Sequence, residues 1–297
     1  MTADTALAPH GAQTLRRSTR YRTLRRFTRH RLAMFGLVVI VLLVLACAIG
    51  PSLVPFDQFQ LNMRARFREP FSGPHLMGTD ELGRDMLARL LMAGRISLTI
   101  GFAAMVIAVT VGTIVGTVAG FYGGAIGAVL MRFVDAVLCF PTIFLLLTLA
   151  ALVSPGIMTI TLIIALTAWM EVARVVQGQI RALRERDFAV AAEAMGAPDR
   201  WIMFKELLPN AVAPIVVAAT LIIARGILLE SYVSYLGYGI QPPVASWGNM
   251  LEKAQQYLTT APWLALLPGL MITLAVSSFN FLGDGLRDAL DPRSELS

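Results

Sequence analysis

Charge is scarce in this 297-residue chain: 15% of residues are Asp, Glu, Lys or Arg, against 56% hydrophobic. Mean hydropathy is +0.67. A soluble domain carries about a quarter charged residues, so an ordinary globule in water is excluded. Histidine is limited to His10, His30 and His75, without metal-ligand spacing. Cysteine is limited to Cys47 and Cys139, both inside apolar stretches, so neither a disulfide framework nor a metal site is proposed. No Gly-x-x-x-x-Gly-Lys-Ser/Thr stretch occurs, so the chain lacks the phosphate loop of an ATPase. No histidine falls in a long apolar run, which removes a His-Glu-x-x-His helix or a serine–histidine pair within a membrane. Period-2 alternation between regular turns is absent, which excludes a transmembrane barrel.

Long apolar runs are what the chain does have. Uncharged stretches of 25, 36, 35 and 30 residues follow Arg31, Arg95, Asp135 and Lys253. A helix crosses the hydrocarbon core with roughly 20 apolar residues. The sequence therefore predicts an all-α polytopic membrane protein with six spans, near 33–53, 96–120, 133–153, 157–177, 209–230 and 263–282. "GFYGG" at 120–124 and "SPG" at 154–156 supply turns, and Pro209 suits the first position of the fifth span. "VLAC" at 44–47 resembles a lipoprotein cleavage box, but the apolar run continues to Pro55, longer than a signal core. Six spans put both termini on one side. That side carries 17 Lys and Arg against seven on the other, so the positive-inside bias places the termini in the cytoplasm. Four segments are expected. They are a basic tail over 1–31, a first span and outer loop over 32–93, a main transmembrane domain over 94–284, and a C-terminal tail over 285–297. Tyr21, Leu24, Phe27 and Leu32 suggest an amphipathic helix on the inner membrane surface, and a lipid surface accounts for the basic tail without nucleic acid.

One polar stretch interrupts the apolar chain: "VAAEAMGAPDRWIMFKELLPN" at 190–210. Asp187 can cap a short helix on which Phe188, Ala191, Ala192 and Met195 share one apolar face. Gly196 and Pro198 end it. Asp199 can cap a second helix with Trp201, Phe204 and Leu208 that stops before Pro209. Physics alone leaves two readings level: a helix for another protein's groove, or a connector packed on its own spans.

Ionisable residues inside spans are candidates for a pathway. Arg225 and Glu230 lie in the outer half of span five and are read as pathway or inter-subunit residues, whereas Asp135, Glu171 and Arg174 lie near cytoplasmic ends. Gly112, Gly116 and Gly120 form a small-xxx-small row for close helix packing. Outside, Gly78, Thr79, Asp80, Gly83, Arg84 and Asp85 suggest a turn capped by Thr79 or Asp80, with Arg84 paired to Asp80 or Asp85. Its two readings are a docking surface and a folded loop sealing the outer mouth. Trp247 and Trp263 are expected at the membrane interface.

Several blocks carry a family resemblance. Ala191, Ala192, Gly196, Leu208 and Pro209 resemble the coupling loop of ABC importer permeases, where the family pattern has Glu at the position of Val190 and Ile at that of Glu206. "HLMGTDELGRDMLARLLMAGRISL" (75–98), "SYLGYGIQPPVASWGNML" (234–251) and "NFLGDGLRDALDPR" (280–293) look like the C-type subunit of dipeptide, oligopeptide and nickel permeases. The resemblance implies a MetI-like, type I transmembrane domain in a bacterial or archaeal cytoplasmic membrane. It implies a homologous B-type permease partner, two cytoplasmic ATPase subunits that bind the ATP and magnesium, and an extracytoplasmic solute-binding protein. The chain would hold no cofactor and would form half of a pathway for peptides or related solutes. The rival is an ATP-independent secondary transporter, which would be expected to show inverted repeats and broken midplane helices.

Overall fold

The computed structural model describes residues 25–290. Tyr21, Leu24 and the C-terminal tail beyond Leu290 lie outside them; residues 25–29 are helical. The main elements are α1 (Arg31–Leu53), α2 (Met86–Tyr122), α3 (Gly124–Leu138), α4 (Thr142–Leu152), α5 (Ile157–Arg184), α6 (Asp187–Ala194), α7 (Asp199–Trp201), α8 (Leu208–Asn210), α9 (Val212–Tyr235), α10 (Trp247–Glu252) and α11 (Trp263–Leu290). Among the described residues, five helices are long and apolar enough to cross a membrane: α1, α2, α5, α9 and α11. The bent pair α3–α4 makes a sixth crossing if counted as one span. The protein is thus an all-α, multi-spanning membrane protein.

The third span departs from the continuous helix expected over 133–153. It breaks at Cys139–Pro141 and turns by 83°. Pro141 cannot donate a backbone hydrogen bond, and it disfavours helical geometry in Phe140. Span two is longer than expected. At 37 residues α2 is about 55 Å long, well beyond a hydrocarbon core of roughly 30 Å. The 93/94 division drawn from sequence falls inside it.

Helices α2 and α5 form the spine of the bundle. Their closeness comes from the glycine row. An added Cβ at Gly112 would stand 2.5 Å from the Trp169 carbonyl oxygen, one at Gly116 2.5 Å from that of Ala173, and one at Gly120 2.7 Å from that of Gln177. Three successive turns of α2 therefore rest on the backbone of α5. On the other side α9 and α11 pack around Ile223, Ile227, Ile272 and Phe279. Helix α1 lies outermost against α11, where Gly36 meets Ser278 and Ala33 meets Gly285. Its other faces leave Leu42, Val44, Leu45 and Ile49 about half exposed, as suits a helix facing lipid.

One end of the bundle carries the α2–α3 turn, the α5–α9 connection and the His30–Asp288 pair; this basic end holds the start of α1 and the end of α11. The opposite end holds residues 54–85 and 236–262. There the expected interfacial Trp247 is instead fully buried, with its indole N–H donating to the Leu90 carbonyl at 3.0 Å. Trp263 is half-buried and donates to the Thr79 carbonyl at 3.2 Å.

Candidate functional site: a projecting helix pair and a charged face

The α5–α9 connection lies at the basic end. Arg184 anchors its root: the guanidinium donates to the Phe121 carbonyl and lies 4.9 Å from the Phe121 ring centre. Helix α6 follows, with Arg186 rather than Asp187 at the cap position. Asp187 sits in the first turn, where a carboxylate complements the helix dipole. The helix ends in a reversed turn: Gly196 N–H donates to Glu193 at 2.9 Å and Ala197 N–H to Ala192 at 3.1 Å. Gly196 holds φ at +77°, a conformation that L side chains rarely adopt. An added Cβ there would meet nothing within 4 Å, so the position opens outward.

The apolar face expected from sequence is divided. Ala192 is 3% exposed and packs with Ala189, Phe121, Ile180, Ile202, Met203 and Leu207 inside the chain's own core. Phe188, Ala191 and Met195 point outward, Met195 with 80% exposure. Val190, Trp201 and Phe204 are also exposed. These exposed large apolar side chains all lie on the connection between α5 and α9. Val190, where the family pattern has Glu, is on the outward side; Glu206, where it has Ile, is half-buried.

The second helix does not stop before Pro209. It runs from Asp199 through a π-helical turn, Ile202–Leu207, into Leu208–Asn210, and span five proper starts at Val212. Pro209 has no N–H and would crowd the preceding turn, and the wider π turn accommodates it. Asn210 donates its side-chain amide to the Glu206 carbonyl at 2.7 Å. Asp199 again sits in the first turn, after Pro198 at the cap position.

Within the helices, Arg225 of α9 donates to Glu171 of α5 and lies 3.5 Å from the Thr142 hydroxyl of α4. Arg174 of α5 donates to Asp135 of α3. All four charged side chains are between 41% and 55% exposed. Glu230 has a different setting. It is fully buried, accepting from Ser97 at 2.8 Å and Ser234 at 2.7 Å. Ser97 also accepts from the Trp247 backbone N–H at 3.2 Å, and Ser234 from that of Ile240 at 3.1 Å. Glu230 therefore ties α2, α9 and the 236–246 loop together and is closed off from any pathway in this conformation. Arg225, unlike Glu230, keeps an open side, and its charge partner comes from this same chain.

The opposite-end block is a buried polar network in which one guanidinium nitrogen of Arg89 is left unpaired. Gly78, Thr79, Asp80, Gly83, Arg84 and Asp85 are all buried. Asp85, not Thr79 or Asp80, caps α2 by accepting from Ala88 N–H at 2.8 Å, and its other oxygen meets His75 at 2.8 Å. Asp80 accepts from the backbone N–H groups of Leu82 and Arg84, each at 2.9 Å, and pairs with Arg84 at 2.6 Å and Arg89 at 3.4 Å. Gly83 adopts φ +72°, and a Cβ there would fall 1.8 Å from the Asn62 carbonyl. His75 and Arg89 complete this network; neither was singled out from sequence, because their partners lie on the far side of a turn. Asp80→Ala is expected to leave buried Arg89 without a carboxylate and Arg84 with Glu81 alone, and to cost about 3–5 kcal/mol. Limited proteolysis within 60–85 checks it; unchanged protection would contradict the assignment.

Among the described residues, no group of three or more His, Cys, Asp and Glu side chains is placed to hold a metal. What the geometry defines is a multi-span helical protein with exposed apolar side chains on the connection at its basic end. The chain belongs to the family of binding-protein-dependent transport system inner membrane components, whose profile matches residues 112–295, and the N-terminal transmembrane domain of oligopeptide transport permease C matches residues 18–74. It is similar to a provisionally named peptide permease protein of Brucella suis, 40% identical over 93% of this chain and 92% of the relative. It is 37% identical to the oligopeptide transport system permease protein OppC of Bacillus subtilis over 90% of this chain and 88% of that protein. It is 36% identical to the dipeptide transport system permease protein DppC of Alkalihalophilus pseudofirmus over 89% of this chain and 87% of that protein. The chain is a permease subunit of an ABC importer.

Proposed function

We infer that this permease forms half of a peptide-translocation pathway and receives the work of ATP through α6 and the helix that follows it. The observation that carries the reading is the outward apolar surface of Phe188, Ala191, Met195, Trp201 and Phe204, on a pair of helices anchored by Ala189, Ala192, Ile202 and Leu207. Such a pair can be gripped from outside and can pass displacement to α2, α5 and α9. The basic end lies in the cytoplasm under the positive-inside bias. Two ATPase subunits dock there, a homologous B-type permease covers the pathway face, and a solute-binding protein delivers peptide at the opposite end. Closure of the ATPases then shifts the bundle between inward- and outward-facing states, and the helix pair biases that equilibrium. The buried opposite-end network serves as a folded seal over the outer mouth, since His75 pairs with Asp85 and Arg84 with Asp80 inside the chain.

Reconstitution tests the reading. The chain, its B-type partner, both ATPases and the binding protein are placed in liposomes, and uptake of labelled trialanine is measured. The expected result is ATP-dependent uptake with every subunit present and none with this chain alone. Uptake by the chain alone would contradict the reading and favour a secondary transporter.

A further inference from the structure

The two exposed ion pairs raise a question that packing does not answer. Arg225 lies 13 residues after Val212 and ten before Tyr235, about 20 and 15 Å along α9. Glu171 lies 14 residues after Ile157 and 13 before Arg184. Their pair therefore sits near the middle of both helices, yet each side chain stays more than 40% exposed. Ionised groups at that depth are costly against lipid and belong on a bundle interior or a wet cavity. Other exposed side chains at similar positions along the spans are apolar, for example Phe102, Leu162, Leu166, Leu266 and Leu270, while exposed Arg132, Arg181 and Arg287 lie toward the basic end. The four charges thus mark the face turned away from lipid.

A dry, permanent subunit contact would strip water from both pairs, whose charges already satisfy each other within this chain, and would gain little for that cost. A water-filled pathway imposes no such cost. The order of charge matters as well. Glu171 and Arg174 stand one turn apart on α5, each with its partner from another helix, giving the alternating row Arg225, Glu171, Arg174, Asp135. The row is net neutral, so it rejects neither acidic nor basic cargo. It offers a guanidinium and a carboxylate together at each step. A peptide with free ends carries one carboxylate and one ammonium whatever its side chains are.

We propose that this row is a substrate-contact rail, on which the ionised ends of a zwitterionic peptide exchange with the resident ion pairs as it crosses. Arg225 takes the terminal carboxylate, with the two-pronged geometry that guanidinium groups favour. Glu171, released from Arg225, takes the terminal ammonium. The proposal rests on the peptide reading given above and adds which groups on the peptide are recognised and by what.

The test uses the full reconstituted complex with trialanine, its C-terminal amide and its N-acetyl form. Each probe is supplied at the concentration that fills the binding protein to the same extent, so the binding protein's own preference cancels. Arg225→Gln is expected to lower trialanine uptake about tenfold, the scale of one charge-assisted hydrogen bond, and amide uptake less than about twofold. Glu171→Gln is expected to do the mirror image, sparing the N-acetyl form. Equal losses for all probes, no loss for any, or loss of the B-type partner from the purified complex would each overturn the rail. If the wild-type complex takes up no trialanine, the peptide reading fails and the rail with it; normal wild-type uptake with unaltered probe ratios in the variants overturns the rail alone.

Discussion

Met195→Asp should leave the permease in the membrane at its normal level and cut ATP-driven uptake by a large factor. Met195 is 80% exposed and lies at the end of α6 beside Gly196, so its side chain contributes little to the fold. In the proposed assembly it enters an apolar socket on the ATPase. A charge buried at the centre of such a contact costs about 2–4 kcal/mol, roughly 30- to 1,000-fold in affinity. ATPase subunits should then be lost on purification, or remain with hydrolysis no longer driven by loaded binding protein. The matching change one turn earlier should behave differently. Ala192→Asp places a carboxylate at a 3% exposed position among Phe121, Ile180 and Leu207, and is expected to lower the amount of folded protein. Equal expression and equal uptake for Met195→Asp and the parent would remove the contact from the account.

Gly116→Leu should prevent the bundle from closing. The first carbon of any side chain at 116 meets the Ala173 carbonyl oxygen at 2.5 Å and Val176 Cβ at 2.8 Å. The obstacle is backbone, which cannot rotate aside, so α2 and α5 must separate along several turns. Overpacking of this kind costs about 1–3 kcal/mol, occasionally more, and here the three-glycine row transmits it along the spine. Thermal unfolding in detergent, followed by the loss of the monodisperse peak, measures the effect. Wild-type stability would mean that the two helices can part without consequence.

The apolar spans were legible because hydrophobic length is a direct consequence of the bilayer's thickness. Runs such as 32–56 leave few alternatives. Their internal geometry was less legible. The break at Pro141 had a signal, a proline within the run, but composition alone reads such a run as unbroken. The small faces of α2 were legible as a spacing, and the structure supplies their partner, the backbone of α5. Glu230 and Trp247 were misplaced for one shared reason. A carboxylate and an indole near the end of a span have ordinary homes at a pathway or an interface. Here their hydrogen-bond partners, Ser97 and Leu90, are more than 130 residues distant in sequence. Helical periodicity gave α6 an apolar stripe but not its neighbours, so Ala192 was grouped with Met195 although one packs inward and the other outward. The outer network depended on bonds across turns, such as His75 to Asp85, that spacing does not reveal.

Cysteine cross-linking tests most directly whether ATP's work enters through the helices of the α5–α9 connection. Met195→Cys is placed in a chain with Cys47 and Cys139 replaced by alanine and assembled with its partners in native membranes, and a short bifunctional thiol reagent is added. The account predicts a cross-linked product containing an ATPase subunit, with a yield that changes when ATP is bound. It predicts no such product from Leu152→Cys, exposed at the opposite end of the bundle. No product from position 195 in an assembled, transport-active complex, or the same yield from both positions, would contradict the account.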